Sequence, residues 1–300
     1  MKILSIAFRA LGTLNTIEMP EIPDGTGQEL LKKIRDEIMA WDDRLSIFKT
    51  GSEISGINEK AGQENVAVSE STFALLMDSV YYGRMTGGLF DITSGPLASL
   101  WGIGKKGDFI PSEEDIDEAK DLVDYQDIIF EGPLPMKAGL KRAGQSLDLG
   151  GIAKGAAADR AVSMLKEAGV SSAVLDFGGT VSVFGTEKQI GIRNPFDRDG
   201  EPVRTITLKD ASCVTSGTYE RFFYKDGKRY HHILDPKTGY PSEHGIASVT
   251  LIGKNAEELD ALATSVILLG AGKGMKLAKS RGALGVLIME NGQSFFSEGL

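Results

Sequence analysis

The chain has 300 residues, of which 41% are hydrophobic and 25% charged, with a net charge of −9 and a pI near 5.0. This composition is typical of a globular protein with a large core, arranged as one large domain or two lobes. The acidic balance argues against nucleic acid as a partner, because binding to a phosphate backbone needs a basic surface. An anionic ligand would therefore need a metal ion or local backbone donors.

No stretch approaches the roughly 18 consecutive apolar residues of a membrane-spanning helix. The N-terminal run MKILSIAFRA is short and lacks a small-residue cleavage site and a lipid-accepting cysteine. The single cysteine, Cys213, cannot form an internal disulfide. These features predict a cytoplasmic protein without a membrane segment, or an extracytoplasmic one if the natural chain carries a further N-terminal signal.

The first 125 residues predict a strand pair and three helices. The strand pair is expected over 3–19 with an interruption at 11–13, and the helices over 27–45, over 69–85 and from 112 onward. The polar segment 49–65 is expected to be a connector. Five glycines in residues 87–104 predict a loop, which either approaches a ligand with Asp91, Thr93 and Ser94 or only packs on the core.

A more specific pattern begins at residue 146, where the strand-like SLDL stops at Gly150-Gly151 and an alanine-rich helix is expected from about Ile152. Free N–H groups and the positive end of the helix dipole would then lie beside Lys154, which predicts an anion site. Neither the P-loop nor the dinucleotide-binding glycine pattern is present. A purely structural β–α turn is the alternative.

A second hairpin is predicted over 174–185, with its turn at Gly178-Gly179 and Asp176 at its mouth. A strand carboxylate beside two glycines more often stabilises a turn than contacts a ligand. Asp176 alone is therefore a weak indication of a site.

All three histidines fall between positions 231 and 244, which gathers the near-neutral proton-transfer groups of the chain in one segment. The runs RFFYK and KRYHHIL, joined by Asp226-Gly227, predict a hairpin. Strand alternation sends His231 and His232 to opposite faces, and His232 is the better candidate for the face toward a site. A hydrogen-bonded structural histidine is the alternative. The stiff polar loop 235–239 that follows is typical of a binding loop.

The last chemical element is a helix expected from Asn255, with a capping box to Glu258, to a stop at Gly270. Asp260 and Thr264 are four residues apart and share one face among apolar neighbours. Such an acid needs a partner, which is either a salt bridge or N–H donor, or a hard cation bound by oxygen ligands. The closing helix and the hairpin at 291–292 are expected to be structural.

Six motifs in chain order resemble those of the FAD:protein FMN transferases, the ApbE-like family. They are LGT at 11–13, GGLFDIT, LDLGGIAKG, LDFGG, TSG with HHILDPKTGYP, and DALATS. The resemblance covers residues 11–270. It implies an α+β fold of the family's own type, a single domain over 1–300 in which two interleaved lobes hold FAD in the cleft between them, and Mg²⁺ at the diphosphate.

The resemblance also implies roles for individual residues. His232 and Asp260 would be catalytic, and the metal ligands would be Asp260, Thr264 and the backbone carbonyl of Ala153. The residues that would contact FAD are Leu11, Phe48, Leu89, Phe90, Asp91, Gly150, Lys154, Ala156, Asp176, Ser216, His232, Leu234 and Asp235. Leu11 stands where methionine is common and Phe48 where tyrosine is frequent, and both changes concern flavin affinity more than chemistry.

The activity implied by the resemblance is Mg²⁺-dependent transfer of FMN from FAD to a Thr or Ser hydroxyl of a target flavoprotein, with release of AMP. The expected partners are FAD and that target protein. The alternatives are an FAD diphosphatase that yields FMN and AMP, and an FAD-binding protein without turnover.

Overall fold

The computed structural model describes residues 2–23, 25–104, 107–197 and 199–300. The helices are α1 (Gly27–Leu45), α2 (Glu53–Glu59), α3 (Glu70–Met85), α4 (Gly95–Trp101), α5 (Glu113–Asp121), α6 (Ala153–Glu167), α7 (Ala256–Leu269) and α8 (Ala271–Ser280). The strands are β1 (Ile3–Ala10), β2 (Thr13–Pro20), β3 (Val66–Ala67), β4 (Ile128–Glu131), β5 (Lys137–Leu140), β6 (Ala173–Phe177), β7 (Thr180–Ile192), β8 (Arg204–Gly217), β9 (Phe222–Lys225), β10 (Lys228–His231), β11 (Ile246–Gly253), β12 (Leu284–Met289) and β13 (Ser294–Phe296).

The main sheet has eight strands in the order β1-β2-β6-β7-β8-β11-β12-β13, and every neighbouring pair is antiparallel. Strand β2 pairs with β6, so that Asn15 lies opposite Phe177 although α1 to α6 separate them along the chain. A three-stranded sheet, β3-β5-β4, and the β9–β10 hairpin complete the strands of the described residues. The predicted α+β class is confirmed.

The hydrophobic core falls into three clusters. The largest lies between the main sheet and the helices, where α1 presents one apolar stripe of buried residues: Leu31, Ile34, Ile38, Trp41 and Leu45. A smaller cluster, with Ile206 and Ile288, covers the other face of the sheet. The third joins α4 and α5 to the β9–β10 hairpin through Trp101 and Phe223. Segments distant in sequence therefore share each core.

Several predicted element ends match the structure. Helix α1 has the predicted bounds. Ser69 caps α3 by accepting the N–H of Thr72, and Asn255 caps α7 by accepting the N–H of Glu258 at 2.6 Å. The β9–β10 and β6–β7 turns fall at the predicted glycines. These ends depend on side chains a few residues away, which is why the sequence alone locates them.

Three expectations were wrong. The connector 49–65 contains α2, which Ser52 caps and whose Ile54 and Ile57 are buried. The loop 87–104 contains α4, and SLDL makes only one bridge, between Ser146 and Ser94, instead of a strand. Short elements of this kind form through tertiary contacts that local patterns do not encode. None of the helices in the described part of the chain is long and apolar enough to cross a membrane.

Candidate active site

Asp260 lies on the second turn of α7 against the N-terminal turn of α6, and only 2% of its surface is exposed. Its carboxylate accepts the Gly155 N–H at 3.0 Å and forms an ion pair with the Lys154 ammonium at 3.4 Å. The two helices approach this closely because Gly155 has no side chain. A Cβ there would lie 2.2 Å from the Ala256 carbonyl oxygen. The small-residue run of α6 thus places a buried acid at a helix N-terminus.

The anion site predicted at the start of α6 is therefore partly used by the protein's own carboxylate. Lys154 also donates to the Gly150 carbonyl at 3.2 Å, which holds the ammonium over the Gly150-Gly151 turn. Ala153 and Ala156 are buried in the same first turns of α6. The ammonium stands between the buried acid and the turn where an external anion was expected.

Thr264 lies one helical turn beyond Asp260, and its hydroxyl oxygen is 3.4 Å from that of Ser216 on β8. A Cβ at Gly151 would lie 3.3 Å from a ring carbon of Phe90 and 3.4 Å from the Thr264 hydroxyl oxygen. Residues from four motifs that are far apart in the sequence therefore meet at the Gly150-Gly151 turn.

The donor atoms around Asp260 suit a hard divalent cation. The buried carboxylate, the Thr264 hydroxyl one turn later and the Ala153 carbonyl would supply only oxygen ligands, which Mg²⁺ prefers. Asp260 already attracts a cation, the ammonium of Lys154. No group of three or more His, Cys, Asp or Glu side chains within the described ranges could hold a metal ion. A metal here would rest on one carboxylate together with neutral oxygens.

The two adjacent histidines differ in their hydrogen bonds. His231 is buried, and its ring donates from Nε2 to the Ser242 carbonyl at 2.9 Å and accepts the Ile233 N–H at Nδ1. His232 donates from Nδ1 to the Arg221 carbonyl at 3.2 Å, because a carbonyl can only accept. The neutral ring of His232 therefore carries its lone pair on Nε2.

Both imidazoles are neutral at pH 7. Burial lowers the pKa of His231 to about 4. The pKa of His232 is lowered to about 3, first by burial and then by the positive charge of Arg221, and Lys154 acts in the same direction. The positive charge of Lys154 therefore acts on the His232 ring, although it is the smallest of these effects.

Asp91 is held within its own loop. One carboxylate oxygen accepts from the N–H and hydroxyl of Thr93, at 2.8 and 2.7 Å, and the other accepts the Tyr125 N–H at 2.8 Å. Burial raises the pKa of Asp91, and these hydrogen bonds oppose the shift. Phe90 packs into the main core, with Leu89 partly buried against it. The carboxylate fixes the loop that presents Phe90 to Gly151.

Leu11, Phe48 and Asp176 lie on the periphery of this arrangement. Leu11 forms the β1–β2 turn, where its N–H donates to Asp42 at 2.8 Å, and Lys49 ties the segment containing Phe48 to the same Asp42. Phe48 is 72% exposed. Asp176 accepts the N–H of Gly178 at 3.1 Å, the turn-stabilising alternative for this residue.

The β1–β2 turn and the β6–β7 turn nevertheless touch. A Cβ at Gly178 would lie 2.1 Å from the Thr13 hydroxyl oxygen, so the β6–β7 turn packs directly on the β1–β2 turn. Strand β8 then connects these turns to the Asp260 region, because the Thr215 N–H donates to the Gly179 carbonyl at 2.9 Å.

Leu234 and Asp235 follow His232 in the segment after β10. Leu234 is buried in the third core cluster and bridges to Pro241. Asp235 accepts the Lys237 N–H at 2.8 Å and so shapes the turn after it. Both residues support the segment that carries His232, and direct contact with FAD stays a prediction for each.

Four contributors to this region were missed by the sequence analysis: Gly155, Asp42, Asp159 and Arg221. Asp159 accepts the Glu257 N–H at 3.0 Å and fixes the start of α7 against α6. The GGIAKGAAA run was a usable signal for Gly155, since small residues permit close helix contact. No sequence pattern predicts the contact made by the Arg221 carbonyl, because every residue has a backbone carbonyl.

A buried acid paired with a lysine, a helix N-terminus and two hydroxyl groups meet at the Gly150-Gly151 turn, an arrangement that could bind an anionic ligand together with a cation. A model of the ApbE family matches residues 11–288 of the chain. The protein belongs to the ApbE family.

Individual relatives agree with this assignment. The chain is 35% identical over 254 residues to an FAD:protein FMN transferase of Klebsiella pneumoniae, with 85% of this chain and 80% of that protein covered. Its fold is similar to the crystal structure of the ApbE protein of Thermotoga maritima, with a TM-score of 0.88, 32% identity, and 99% and 97% of the two chains covered. The flavin transferase ApbE of Vibrio cholerae superposes with a TM-score of 0.86 at 26% identity, covering 99% and 97%.

Proposed function

We propose that this protein is an FAD:protein FMN transferase that moves FMN from FAD to a Thr or Ser hydroxyl of a target protein and releases AMP. The observation that carries the proposal is the meeting of Asp260, Lys154 and the α6 N-terminus in a member of the ApbE family. Membership makes flavin transfer the expected chemistry, and the site contains the groups which that chemistry needs.

The reaction breaks the phosphoanhydride bond of FAD and forms a phosphoester bond to the target protein. The hydroxyl oxygen of the target attacks the phosphorus on the FMN side of the diphosphate. The bond from that phosphorus to the bridging oxygen breaks, and AMP leaves with the bridging oxygen and its electron pair. The hydroxyl proton must be removed as the new bond forms. Most of what the protein contributes to such a reaction is positioning and charge neutralisation.

His232 is the proposed proton acceptor. Its Nδ1–H is committed to the Arg221 carbonyl, so Nε2 is the atom that can take the proton of the attacking hydroxyl. The lowered pKa keeps the ring neutral before substrate binds. The negative charge of a bound diphosphate would raise this pKa, because it offsets the charges of Arg221 and Lys154. His232 would then hold the proton while AMP departs.

Asp260, Thr264 and the Ala153 carbonyl would hold Mg²⁺, with water and diphosphate oxygens completing its coordination. A bound Mg²⁺ neutralises diphosphate charge and stabilises the departing AMP phosphate. The Gly155 N–H keeps the Asp260 carboxylate oriented, and Ser216 orients the Thr264 hydroxyl.

The remaining residues predicted to contact FAD fall into three groups according to their position. Lys154, Gly150 and Ala156, at the start of α6, are proposed to face the diphosphate. The loop that Asp91 fixes is proposed to present Leu89 and Phe90 to FAD, with Ser216, Leu234 and Asp235 around His232. Leu11, Phe48 and Asp176 are proposed to contact the ends of the FAD molecule from the strand turns and the α1–α2 segment.

The decisive test incubates the purified protein with FAD, Mg²⁺ and a panel of candidate acceptor proteins, followed by intact-mass analysis of each acceptor and an AMP assay. Equal amounts of AMP and FMN-modified acceptor are expected. AMP with unmodified acceptors would identify an FAD diphosphatase, and FAD binding without AMP would identify a binding protein.

A further inference from the structure

The ammonium of Lys154 fills the cation position beside Asp260. It lies 3.4 and 3.5 Å from the two carboxylate oxygens and 3.2 Å from the Gly150 carbonyl. The Asp260 side chain is 3% exposed and the Lys154 side chain 24%. The buried acid is thus neutralised by a flexible side chain that still reaches solvent.

The net charge of the Asp260–Lys154 pair determines whether a second cation can bind beside it. Asp260 and Lys154 together carry no net charge, so a divalent metal that joined them would leave two uncompensated positive charges in a poorly hydrated site. Such an arrangement is strongly unfavourable at these distances. A diphosphate carries two negative charges and would restore neutrality. The metal is therefore expected to bind well only when the diphosphate is present.

The Lys154 side chain is 24% exposed, so it can change rotamer without a change of fold. It belongs to the first turn of α6, and its ammonium donates to the Gly150 carbonyl of the adjacent Gly150-Gly151 turn. The side chain therefore links Asp260 to the turn where the diphosphate is proposed to bind. Rotation about its own side-chain bonds would carry the ammonium from the carboxylate to a phosphate oxygen.

We propose that Lys154 occupies the metal position on Asp260 until FAD binds, and that the diphosphate then draws the ammonium away and opens the carboxylate to Mg²⁺. Lys154 is a positioning residue in this scheme. FAD and Mg²⁺ bind cooperatively because each favours the same displacement of one side chain, and the coupling is reciprocal. The inference rests on the proposed function for the identity of the two ligands.

Lys154→Met isolates the effect, because it keeps the length of the side chain and removes its charge. Without FAD, the variant leaves Asp260 unpaired, and Mg²⁺ should bind it at least about 10-fold more tightly than it binds the wild type. The factor by which FAD improves Mg²⁺ affinity should fall correspondingly. Lys154→Arg keeps the positive charge and should bind Mg²⁺ alone as weakly as the wild type does.

The experiment is calorimetric titration of the full chain with MgCl₂, with and without saturating FAD. Lys279→Met, at an exposed lysine of α8, controls for the change in net charge. The proposal is supported if only the Lys154→Met titration without FAD tightens. It is overturned if that variant binds Mg²⁺ alone no better than the wild type, or if Lys279→Met shows the same gain.

A second variant protects the test against misfolding. Lys154→Gln removes the charge but keeps a hydrogen-bond donor for the carboxylate, and it carries the same expectation if Lys154→Met does not fold. Failure of the proposed function would look different. A wild type that does not bind FAD refutes the flavin assignment, whereas the titration without FAD still decides whether Lys154 competes with the metal.

Discussion

The two adjacent histidines at the end of β10 show how a histidine of the candidate site differs from one that only supports the fold. Both nitrogens of His231 are hydrogen-bonded to the chain around it. His232 uses only Nδ1 within the described residues, and its Nε2 lone pair remains for a ligand. The difference follows from their positions, because His231 is the buried last residue of β10, whereas His232 lies just beyond the end of the strand and is only partly buried.

A similar contrast separates the two aspartates of the motifs GGLFDIT and DALATS. Asp91 accepts three hydrogen bonds, two from Thr93 and one from the Tyr125 N–H, and these fix its loop. Asp260 is paired with the ammonium of Lys154, a side chain that is 24% exposed. A polar group whose partners are all fixed stabilises the fold, and one with an exchangeable partner can take part in chemistry. Each of the following experiments changes one member of these pairs.

The largest effect is expected for Asp260→Asn. The amide oxygen can still accept the Gly155 N–H, so the fold should survive, but the charge that would hold Mg²⁺ is lost. The Mg²⁺-dependent transfer rate should fall by about 10³-fold or more. AMP release measured across Mg²⁺ concentrations tests this.

Glu257→Gln, one turn earlier on α7, is the matched control and should leave the Mg²⁺ dependence unchanged. A normal Mg²⁺ profile in Asp260→Asn would remove this residue from the metal site. If Asp260→Asn instead loses thermal stability with and without Mg²⁺, and activity follows the folded fraction, the acid is only part of a salt bridge.

The histidine pair is tested next. His232→Ala should lower transfer by about 10²–10⁴-fold, the range for loss of a general base, while FAD binding is largely kept. His231→Ala should keep most of its transfer rate per folded molecule, because both ring nitrogens of His231 are hydrogen-bonded to the surrounding chain. Single-turnover transfer rates and FAD titrations on both variants make the comparison. Equal losses in the two variants would show that the hairpin merely needs its aromatic packing.

Asp91→Ala should act on stability. It leaves the two Thr93 donors and the Tyr125 N–H without their acceptor in a largely buried loop, at a cost of about 2–4 kcal/mol in the free energy of unfolding. Urea denaturation measures this. A variant of normal stability that has lost FAD binding would contradict the structural role and favour the direct FAD contact that the family resemblance implies.

The last effect is a pH dependence due to His231, which appears only below neutral pH. Its pKa is about 4 in the folded protein against 6.5 for an unperturbed histidine, so the unfolded chain binds the proton first as the pH falls. The contribution of His231 to stability is therefore present above pH 6.5 and lost between pH 6.5 and 4, by about 3 kcal/mol. In His231→Gln, the unfolding free energy should change less between pH 6.5 and 4 than it does in the wild type. An unchanged dependence of the unfolding free energy on pH would mean that other titratable groups cause the loss of stability in acid.

Much of the fold could be predicted because its signals are local. Ser69 and Asn255 cap helices within a few residues, and Gly178-Gly179 and Asp226-Gly227 mark the turns of two hairpins. Helices α2 and α4 were missed because elements of seven residues depend on packing against distant partners. The order of motifs indicated the family, which no single motif could have done.

The site was predictable as a set of residues but not as a set of interactions. The pairing of Lys154 with Asp260 joins positions 106 residues apart, and no periodicity encodes it. The free nitrogen of His232 depends on a backbone carbonyl, and carbonyls are identical in every residue. Sequence patterns therefore name the side chains of this site, whereas their protonation and partners follow from the tertiary structure.

The pairing of β2 with β6, and of β8 with β11, has a consequence for how the protein is made. On the ribosome the β1–β2 hairpin emerges before β6, which later covers its inner edge. Lys154 is synthesised long before Asp260, so a nascent chain that ends before Asn255 has the lysine and the helix but not the acid. The proposed metal site would thus be complete only after α7 is synthesised, and a product terminated before α7 would not compete for the ion.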